Sequence, residues 1–356
     1  MTRAWVEIDL GALRRNGAAM AARAATLLPM IKADGYGIGA AAAARALEAL
    51  SPWGFGVATL EEGCELRDAG VDRPIIVFTP PLPDELAALR AARLTPAMGT
   101  PEQMDAWRAL GAGREDWHLA IDTGMHRAGL RWDEVGRVGA LLRASPPQGA
   151  FTHFHSAELD DGSLAEQERR FEQAIAQLPA RPALLHAENS AALARTATSK
   201  WSFGRPGIFL YGVGSGPRAR VQPEPVVSLR ARIAELHTIL HGDTVSYDAT
   251  HRASGTRRIA TLPVGYADGY RRAFGNRTHA LLHGRCAPVV GVVTMDMSMI
   301  DVTDIPCDVG DVVTLLGRDG DLVRDVESVA RDAARSPYEV LTGLKSRLPR
   351  RYVGES

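Results

Sequence analysis

Short apolar runs alternate with helix-forming segments between residues 27 and 210 of the chain. Gly and Pro bound these runs, which is typical of parallel strands that are buried on both faces of a sheet. Eight such runs favour a closed (β/α)8 barrel over an open doubly wound sheet. We predict strands at residues 27–31, 54–58, 75–79, 94–98, 118–122, 149–154, 183–187 and 202–210. We predict the intervening helices at residues 40–50, 60–69, 83–92, 101–110, 132–144, 163–178 and 190–197.

The pattern changes after Pro223-Glu224-Pro225. From there apolar and polar positions alternate, Gly and Asp turns separate the segments, and only residues 326–334 have a convincing helical pattern. This pattern indicates a mainly antiparallel β domain. The predicted fold class is therefore α/β, with an N-terminal TIM-type (β/α)8 barrel at residues 1–222 and a mainly β domain at residues 223–356.

Composition narrows the functional classes. With 356 residues, 46% hydrophobic and 23% charged, the chain has the composition of a globular protein of about two domains. A net charge of −1 argues against nucleic-acid or anionic-membrane partners, and no apolar run is long enough to span a membrane. Three widely spaced cysteines and an acidic N-terminal segment without an apolar run predict a cytoplasmic location.

Lysine is rare in this chain, and one lysine has a distinctive position. The three lysines are Lys32, Lys200 and Lys345. Lys32 follows the first apolar run and precedes a glycine-rich turn, which places it at the carboxyl end of the first barrel strand, where active sites of such barrels lie. Partial burial there lowers the pKa of an amine and makes it nucleophilic. By position alone, a solvated loop lysine fits equally well.

The segment from Met30 to Gly37, with sequence MIKADGYG, resembles the cofactor-attachment motif of alanine racemases, and further matches continue to the C-terminus. The resemblance implies an isomerase that uses pyridoxal 5'-phosphate (PLP), with a barrel followed by a β domain and active sites shared within a homodimer. It also implies two-base proton transfer between L-alanine and D-alanine, which supplies D-alanine for peptidoglycan.

The resemblance assigns most of the cofactor-binding residues. It implies that Lys32 attaches the cofactor covalently. Backbone N–H groups and helix starts favour phosphate because their dipoles point at the anion. The implied phosphate-binding residues are Tyr36, Ser190, Gly207, Ile208 and Tyr338.

Arg205 matches the family arginine that faces the pyridine nitrogen of the cofactor. A guanidinium keeps its protons, so the ring nitrogen must accept a hydrogen bond and stay unprotonated. The cofactor is then a weaker electron sink, which suits racemisation because it limits side reactions. His153 matches the family histidine that bridges this arginine to the second base.

The remaining implied residues act on the substrate. Lys32 and Tyr247 match the two bases, one for each face of the alanine Cα. Arg127 and the amide of Met295 match groups that bind the substrate carboxylate, and Tyr266 matches a residue of the access channel. No metal site is expected.

The chain departs from the family at position 120, where many members have a carbamylated lysine that holds the arginine equivalent to Arg127. Ala120 cannot carry a carbamate, and we expect a small anion or water to pair with a buried Arg127 instead. Thr294 and Ile38 replace residues that are often cysteine and histidine in the family.

Other functions compete with this interpretation. A racemase of broader or serine specificity has the same fold and is the nearest alternative. Related decarboxylases carry a glycine-rich phosphate motif that we do not find in this chain. A non-enzymatic PLP carrier would lack the β domain with Tyr247 and Met295.

The lysine assignment predicts where the cofactor is attached. We expect purified protein to be yellow, and borohydride reduction followed by peptide mapping to locate the label on Lys32. A label recovered on Lys200 or Lys345 would contradict the assignment.

Overall fold

The computed structural model describes residues 2–111 and 116–354. A curled parallel sheet forms the barrel part, with helices on its outer face. Its six regular strands, in spatial order, are Phe55–Val57, Ile75–Val77, Thr95–Met98, His118–Asp122, Gly149–Phe151 and Leu184–His186, and a short strand Leu130–Arg131 pairs with His118–Asp122. Sequence order equals spatial order, as repeated βα units require. The predicted barrel fold is confirmed.

The first and eighth predicted strands close the barrel through isolated backbone bonds rather than as regular strands. The N–H of Leu28 donates to the carbonyl oxygen of Gly204 at 2.8 Å, and the N–H of Ile31 donates to that of Gly56 at 2.9 Å. Pro29 and Pro206 explain the irregularity, because proline has no N–H to donate to a ladder.

The helices bury one face against this sheet. Their caps follow the sequence, since the side chains of Thr59, Thr100 and Asn189 each accept a backbone N–H of the first helical turn. The barrel helices are Leu10–Ala21, Ala40–Glu48, Leu60–Asp68, Leu86–Ala91, Pro101–Ala109, Gly139–Ala144, Ser163–Ala176 and Ser190–Arg195, and Lys32–Gly37 is a short left-handed turn. The C-terminal part adds the helices Val326–Asp332 and Pro337–Thr342. Within the described residues, no helix has both the length and the apolar character needed to cross a membrane.

The C-terminal part is mainly β, as predicted. Its largest sheet has the order Arg285–Pro288, His279–Leu282, Val312–Asp319, Val227–Arg232, Ala4–Asp9 and Arg350–Val353, with Leu322–Arg324 paired to Val312–Asp319. The smaller sheets contain Glu235–Ile239, Arg257–Leu262 and Ser298–Asp301, and Thr244–Val245 with His251–Arg252.

Two elements of this part are absent from the sequence prediction. Strand Ala4–Asp9 lies inside the C-terminal sheet, antiparallel to Val227–Arg232 and parallel to Arg350–Val353. Helix Pro337–Thr342 begins with proline after a capping box at Ser336, so a local start signal was present. The boundary between residues 222 and 223 stays a prediction.

The segment after Lys32 turns in the left-handed sense. The four residues 33–36 have φ angles between 52° and 60°. Three of them carry side chains, and left-handed backbone costs about 1–2 kcal/mol for each such residue. Strain of this kind persists only where neighbouring contacts enforce it, and it is concentrated at functional sites.

Glu62 supplies the contact that ties this turn to the barrel. Its Oε1 accepts the N–H of Ala33 at 2.7 Å, and its Oε2 accepts the N–H of Ala58, at the end of the neighbouring strand, at 2.7 Å. Asp34 closes the other end of the turn, because its Oδ1 accepts the N–H of Ala40 at 2.8 Å. One carboxylate therefore holds the backbone next to Lys32 against the next strand.

Replacing Glu62 with glutamine tests this anchor. Glutamine has one acceptor oxygen, so Glu62→Gln leaves one of the two amides without its partner. We expect the free energy of unfolding to fall by about 1–2 kcal/mol, measured by urea unfolding. The exposed Glu65 lies on the same helix, and Glu65→Gln should change stability by less than about 0.5 kcal/mol. Equal losses in the two variants would contradict the anchoring role.

Candidate functional site

Lys32 lies where the first barrel segment ends and the left-handed turn begins. Burial, and then the nearby cation of Arg127, lowers the pKa of its amine, while Glu62 opposes the shift. The lowered pKa enlarges the neutral, nucleophilic fraction of the amine. Among the described residues, this amine has no hydrogen-bond or ion-pair partner. Lys200, by contrast, forms two surface ion pairs.

Tyr36 is buried on the same turn and meets three further residues. Its ring stacks on Tyr211 with the centroids 4.5 Å apart, and the ring of Tyr338 lies 6.1 Å away at a tilt. An added Cβ on Gly207 would lie 2.4 Å from the Tyr36 hydroxyl oxygen. Only glycine therefore leaves room for this hydroxyl, and the structure brings Tyr36, Gly207 and Tyr338 together.

Ser190 opens the helix Ser190–Arg195 and directs its hydroxyl to the eighth barrel segment. Its Oγ accepts the N–H of Gly207 at 2.8 Å and the N–H of Phe209 at 3.4 Å. Ile208 lies between these two residues, at the start of a single 3-10 turn. The predicted phosphate-binding residues are thus adjacent, although the Gly207 amide is bonded to Ser190 in the chain described here.

Arg205 is buried, with 3% of its surface exposed. Its Nη1 donates to Nδ1 of His186 at 2.9 Å, and its Nη2 donates to the carbonyl oxygens of Thr152 at 2.7 Å and Ala187 at 3.1 Å. Burial lowers the pKa of Arg205, but a guanidinium stays charged in proteins. Its guanidinium carbon also faces two aromatic rings at 5.8 Å and 5.5 Å, those of Phe78 and Phe151. No carboxylate among the described residues forms an ion pair with it, and its Nε–H has no acceptor there.

His153 lies close to three predicted site residues. Burial, and then the cations Arg205, Arg127 and Lys32, lower the pKa of His153 to about 3. Its imidazole is therefore neutral at physiological pH. The cations Arg205, Arg127 and Lys32 therefore all favour the neutral form of His153.

The surroundings of Ala120 differ from the expectation. Ala120 packs with Ala97, Phe151 and Phe78 in a small apolar cluster. Arg127 is exposed and has no partner among the described residues. The expectation of a buried, unpaired cation beside Ala120 is therefore wrong for the single chain, because position 120 is surrounded by apolar side chains and Arg127 is open to solvent.

Three predicted site residues form a second group on the β part. Tyr247, Tyr266 and Met295 have 69%, 42% and 53% of their surfaces exposed. Backbone hydrogen bonds of 3.0 Å join the loops of Tyr266 and Met295. The loop of Tyr247 adjoins this region, because the hydroxyl of Ser246 donates to the carbonyl oxygen of Val292 at 2.6 Å.

The structure does not unite the two groups within one chain. Among the described residues, no hydrogen bond, ion pair or ring contact joins Tyr247, Tyr266 or Met295 to Lys32. Large exposed apolar and aromatic side chains grouped on one surface mark an interaction site more often than a free surface. The second group therefore has the character of a surface that contacts another molecule.

Sequence reasoning assigned no role to Glu62, His118 or His186. The two histidines are fully buried inside strands that had been predicted from apolar runs. A polar residue inside such a run was the available signal, because a buried imidazole requires hydrogen-bond partners. Among residues 2–111 and 116–354, no three His, Cys, Asp or Glu side chains group as metal ligands.

Comparison with known proteins identifies the family. The family model "Alanine racemase, N-terminal domain" matches residues 8–215, and "Alanine racemase, C-terminal domain" matches residues 226–352. An alanine racemase of Symbiobacterium thermophilum is 38% identical over 372 aligned positions, which cover 100% of this chain and 98% of the relative.

Solved structures agree with the sequence comparison. Alanine racemase from E. faecalis superposes with a TM-score of 0.91 at 30% identity, covering 99% of this chain and 98% of that one. Alanine racemase from Bartonella henselae with covalently bound pyridoxal phosphate superposes with a TM-score of 0.92 at 26% identity, covering 99% and 100%. Since both family models match and relatives align over their full length, this chain belongs to the alanine racemase family.

Proposed function

We propose that this chain interconverts L-alanine and D-alanine with PLP as its cofactor, attached through Lys32. The observation that carries the proposal is the set of unused donors around Lys32. The Lys32 amine, the Tyr36 hydroxyl and the Nε–H of Arg205 have no hydrogen-bond partners among the described residues. Because Gly207 has no side chain, there is space for the Tyr36 hydroxyl beside it. An amine for the aldehyde, donors for the phosphate and a donor for the ring nitrogen are the groups that PLP requires.

When bound, PLP makes the Cα–H bond of alanine acidic by withdrawing electrons from Cα. Lys32 would attach the cofactor through its amine, and it would accept or return a proton at Nζ on one face of the alanine Cα. Its lowered pKa suits this exchange, because a general base works best when its pKa is near the operating pH. Glu62 fixes the backbone beside it.

Arg205 offers only donors, so it hydrogen-bonds the ring nitrogen without giving up a proton. Tyr36, Ser190, Gly207, Ile208 and Tyr338 hold the phosphate. His153, neutral and close to Arg205, bridges this cation to the base on the other face. Arg127, with a free guanidinium, binds the substrate carboxylate.

The second base is Tyr247 of the partner subunit in a homodimer. Support comes from the exposed position of Tyr247 and its grouping with Tyr266 and Met295. These three side chains are solvent-exposed in one chain, and a second copy of the chain would bring them to the barrel mouth of its partner. In a twofold dimer each chain then completes the other's site. Met295 contributes its amide to the substrate carboxylate, and Tyr266 lines the access channel.

The proposed setting is the bacterial cytoplasm, where D-alanine serves peptidoglycan synthesis. The alanine racemases aligned above include a bacterial relative. The free thiol of Cys286 is exposed, which suits a reducing compartment. The domain boundary at residues 222 and 223 belongs to the same proposal.

The activity is tested by incubating PLP-loaded protein with L-alanine in D2O. We expect equal amounts of the two enantiomers at equilibrium, since they have equal free energies, and deuterium at Cα, detected by NMR. L-Serine should react more slowly, and Lys32→Ala should be inactive. Loaded protein that leaves L-alanine unchanged, or that prefers serine, would contradict the proposal.

The shared site predicts complementation between inactive variants. Lys32→Ala and Tyr247→Phe homodimers should both be nearly inactive, because each loses one base from both sites. A mixed dimer has one site with both lesions and one intact site, so random subunit exchange should restore about a quarter of wild-type activity. Absence of recovery under conditions shown by mass spectrometry to exchange subunits would place both bases in one chain.

A further inference from the structure

A chain of buried hydrogen bonds runs from Arg205 along the inside of the barrel. Nη1 of Arg205 contacts Nδ1 of His186 at 2.9 Å, and Nε2 of His186 contacts Nδ1 of His118 at 2.8 Å. The chain ends where Nε2 of His118 meets Oε1 of Gln148 at 3.3 Å. His186 ends one strand and His118 begins another, so the chain connects the carboxyl end of the parallel sheet to its amino end.

Only one arrangement of protons satisfies every link. Arginine can only donate, so Nδ1 of His186 must accept, and the proton of this neutral ring must be on Nε2. That proton is donated to Nδ1 of His118, which forces the His118 proton onto Nε2 and toward the Gln148 oxygen. If the amide of Gln148 were reversed, His186 would have to accept at both nitrogens, which a neutral imidazole cannot do.

The rings of both histidines are closely enclosed. An added Cβ on Gly149 would lie 2.6 Å from two atoms of the His118 ring, so only glycine leaves room for that ring. The His186 ring stacks between Phe151 and Phe203, with centroids 5.0 Å and 4.4 Å away. The backbone and the aromatic residues therefore pack closely around this pair.

Burial keeps both histidines neutral. Desolvation lowers the pKa of His118 to about 4 and lowers that of His186 well below its usual value, and the cation Arg205 adds to both shifts. Neither ring therefore gains a proton at physiological pH. The direction of hydrogen-bond donation, from Arg205 through His186 and His118, is thus determined by the charged end at Arg205.

We propose that His118 and Gln148 are positioning residues for the racemase reaction, because they hold His186 in the tautomer that accepts a hydrogen bond from Arg205. The inference rests on the proposed function, in which Arg205 faces the cofactor ring. Without the His118 acceptor, the His186 proton is free to move to Nδ1. Two donors would then face each other, and the guanidinium would have to shift away from the carbonyl groups that hold Nη2.

The test compares four variants of the PLP-loaded enzyme. His118→Leu removes the acceptor for His186, and Gln148→Leu removes the last acceptor at the half-buried end of the chain. His118→Asn restores a carbonyl oxygen close to the former Nδ1 position. Trp53→Phe is the matched control, since its ring lies 5.9 Å from His118 and makes no bond in the chain.

Two readouts separate positioning from a merely structural role. The first is the nitrogen-15 NMR spectrum of labelled histidines in the loaded enzyme, which distinguishes the two tautomers. The second is kcat and KM for alanine. We expect His118→Leu to mix the His186 tautomers and to lower kcat on the order of 10- to 100-fold, with KM changed by less than about 3-fold. His118→Asn should largely restore the wild-type His186 tautomer and kcat. Gln148→Leu should show the same effects as His118→Leu, but more weakly. Trp53→Phe should keep the wild-type tautomer and kcat.

An unchanged His186 tautomer and kcat in both leucine variants would overturn the inference. If His118→Leu does not fold, Gln148→Leu decides by the same two readouts, because its side chain lies at the end of the sheet. Failure of the wild-type enzyme to racemise alanine would refute the proposed function instead. The tautomer spectra would still show whether His118 and Gln148 hold His186.

Discussion

The structure of the barrel interior depends on one buried cation. Arg205 lies inside the sheet without an ion-pair partner among the described residues, and an uncompensated buried charge is destabilising unless hydrogen bonds surround it. Two carbonyl oxygens and the imidazole of His186 supply those bonds. Because these acceptors are neutral, the positive charge of Arg205 is preserved for the cofactor ring that we propose it faces. It also accounts for the imidazole and the aromatic rings that pack around this cation.

A second constraint is the left-handed turn that carries Lys32. Strained backbone at residues 33–36 is held by the two acceptor oxygens of Glu62 and by Asp34. The same turn presents Tyr36 to Gly207 and Tyr338, so one backbone segment positions both the Lys32 amine and the Tyr36 hydroxyl. The barrel thus presents a rigid set of cationic and hydroxyl groups, while the β part presents Tyr247, Tyr266 and Met295 outward on a separate surface. In our account these two surfaces complete each other only between two copies of the chain.

The local pattern of apolar and polar residues was sufficient to predict the barrel, the β part and most helices. Short segments are enough to recognise strands buried on both faces and strands with period-two alternation. It did not place strand Ala4–Asp9, whose partners lie more than 200 residues away, since long-range pairing leaves no local signature. Lys32 was singled out by position, and the roles of Tyr247, Arg127 and Met295 came from family resemblance. The contact between His118 and His186 joins residues 68 positions apart, so only the strand register reveals it. The left-handed turn was hidden because Ala33 and Tyr36 have no preference for that backbone.

We propose that one chain holds an incomplete site and that a second copy completes it. The most direct test of this proposal is the specific activity of the loaded enzyme across a dilution series, with the dimer fraction measured at each concentration by mass photometry. Activity should fall in proportion to the dimer fraction and return on reconcentration, as mass action requires, while the monomer keeps its cofactor absorbance. A monomer that racemises alanine at the specific rate of the dimer would contradict the account.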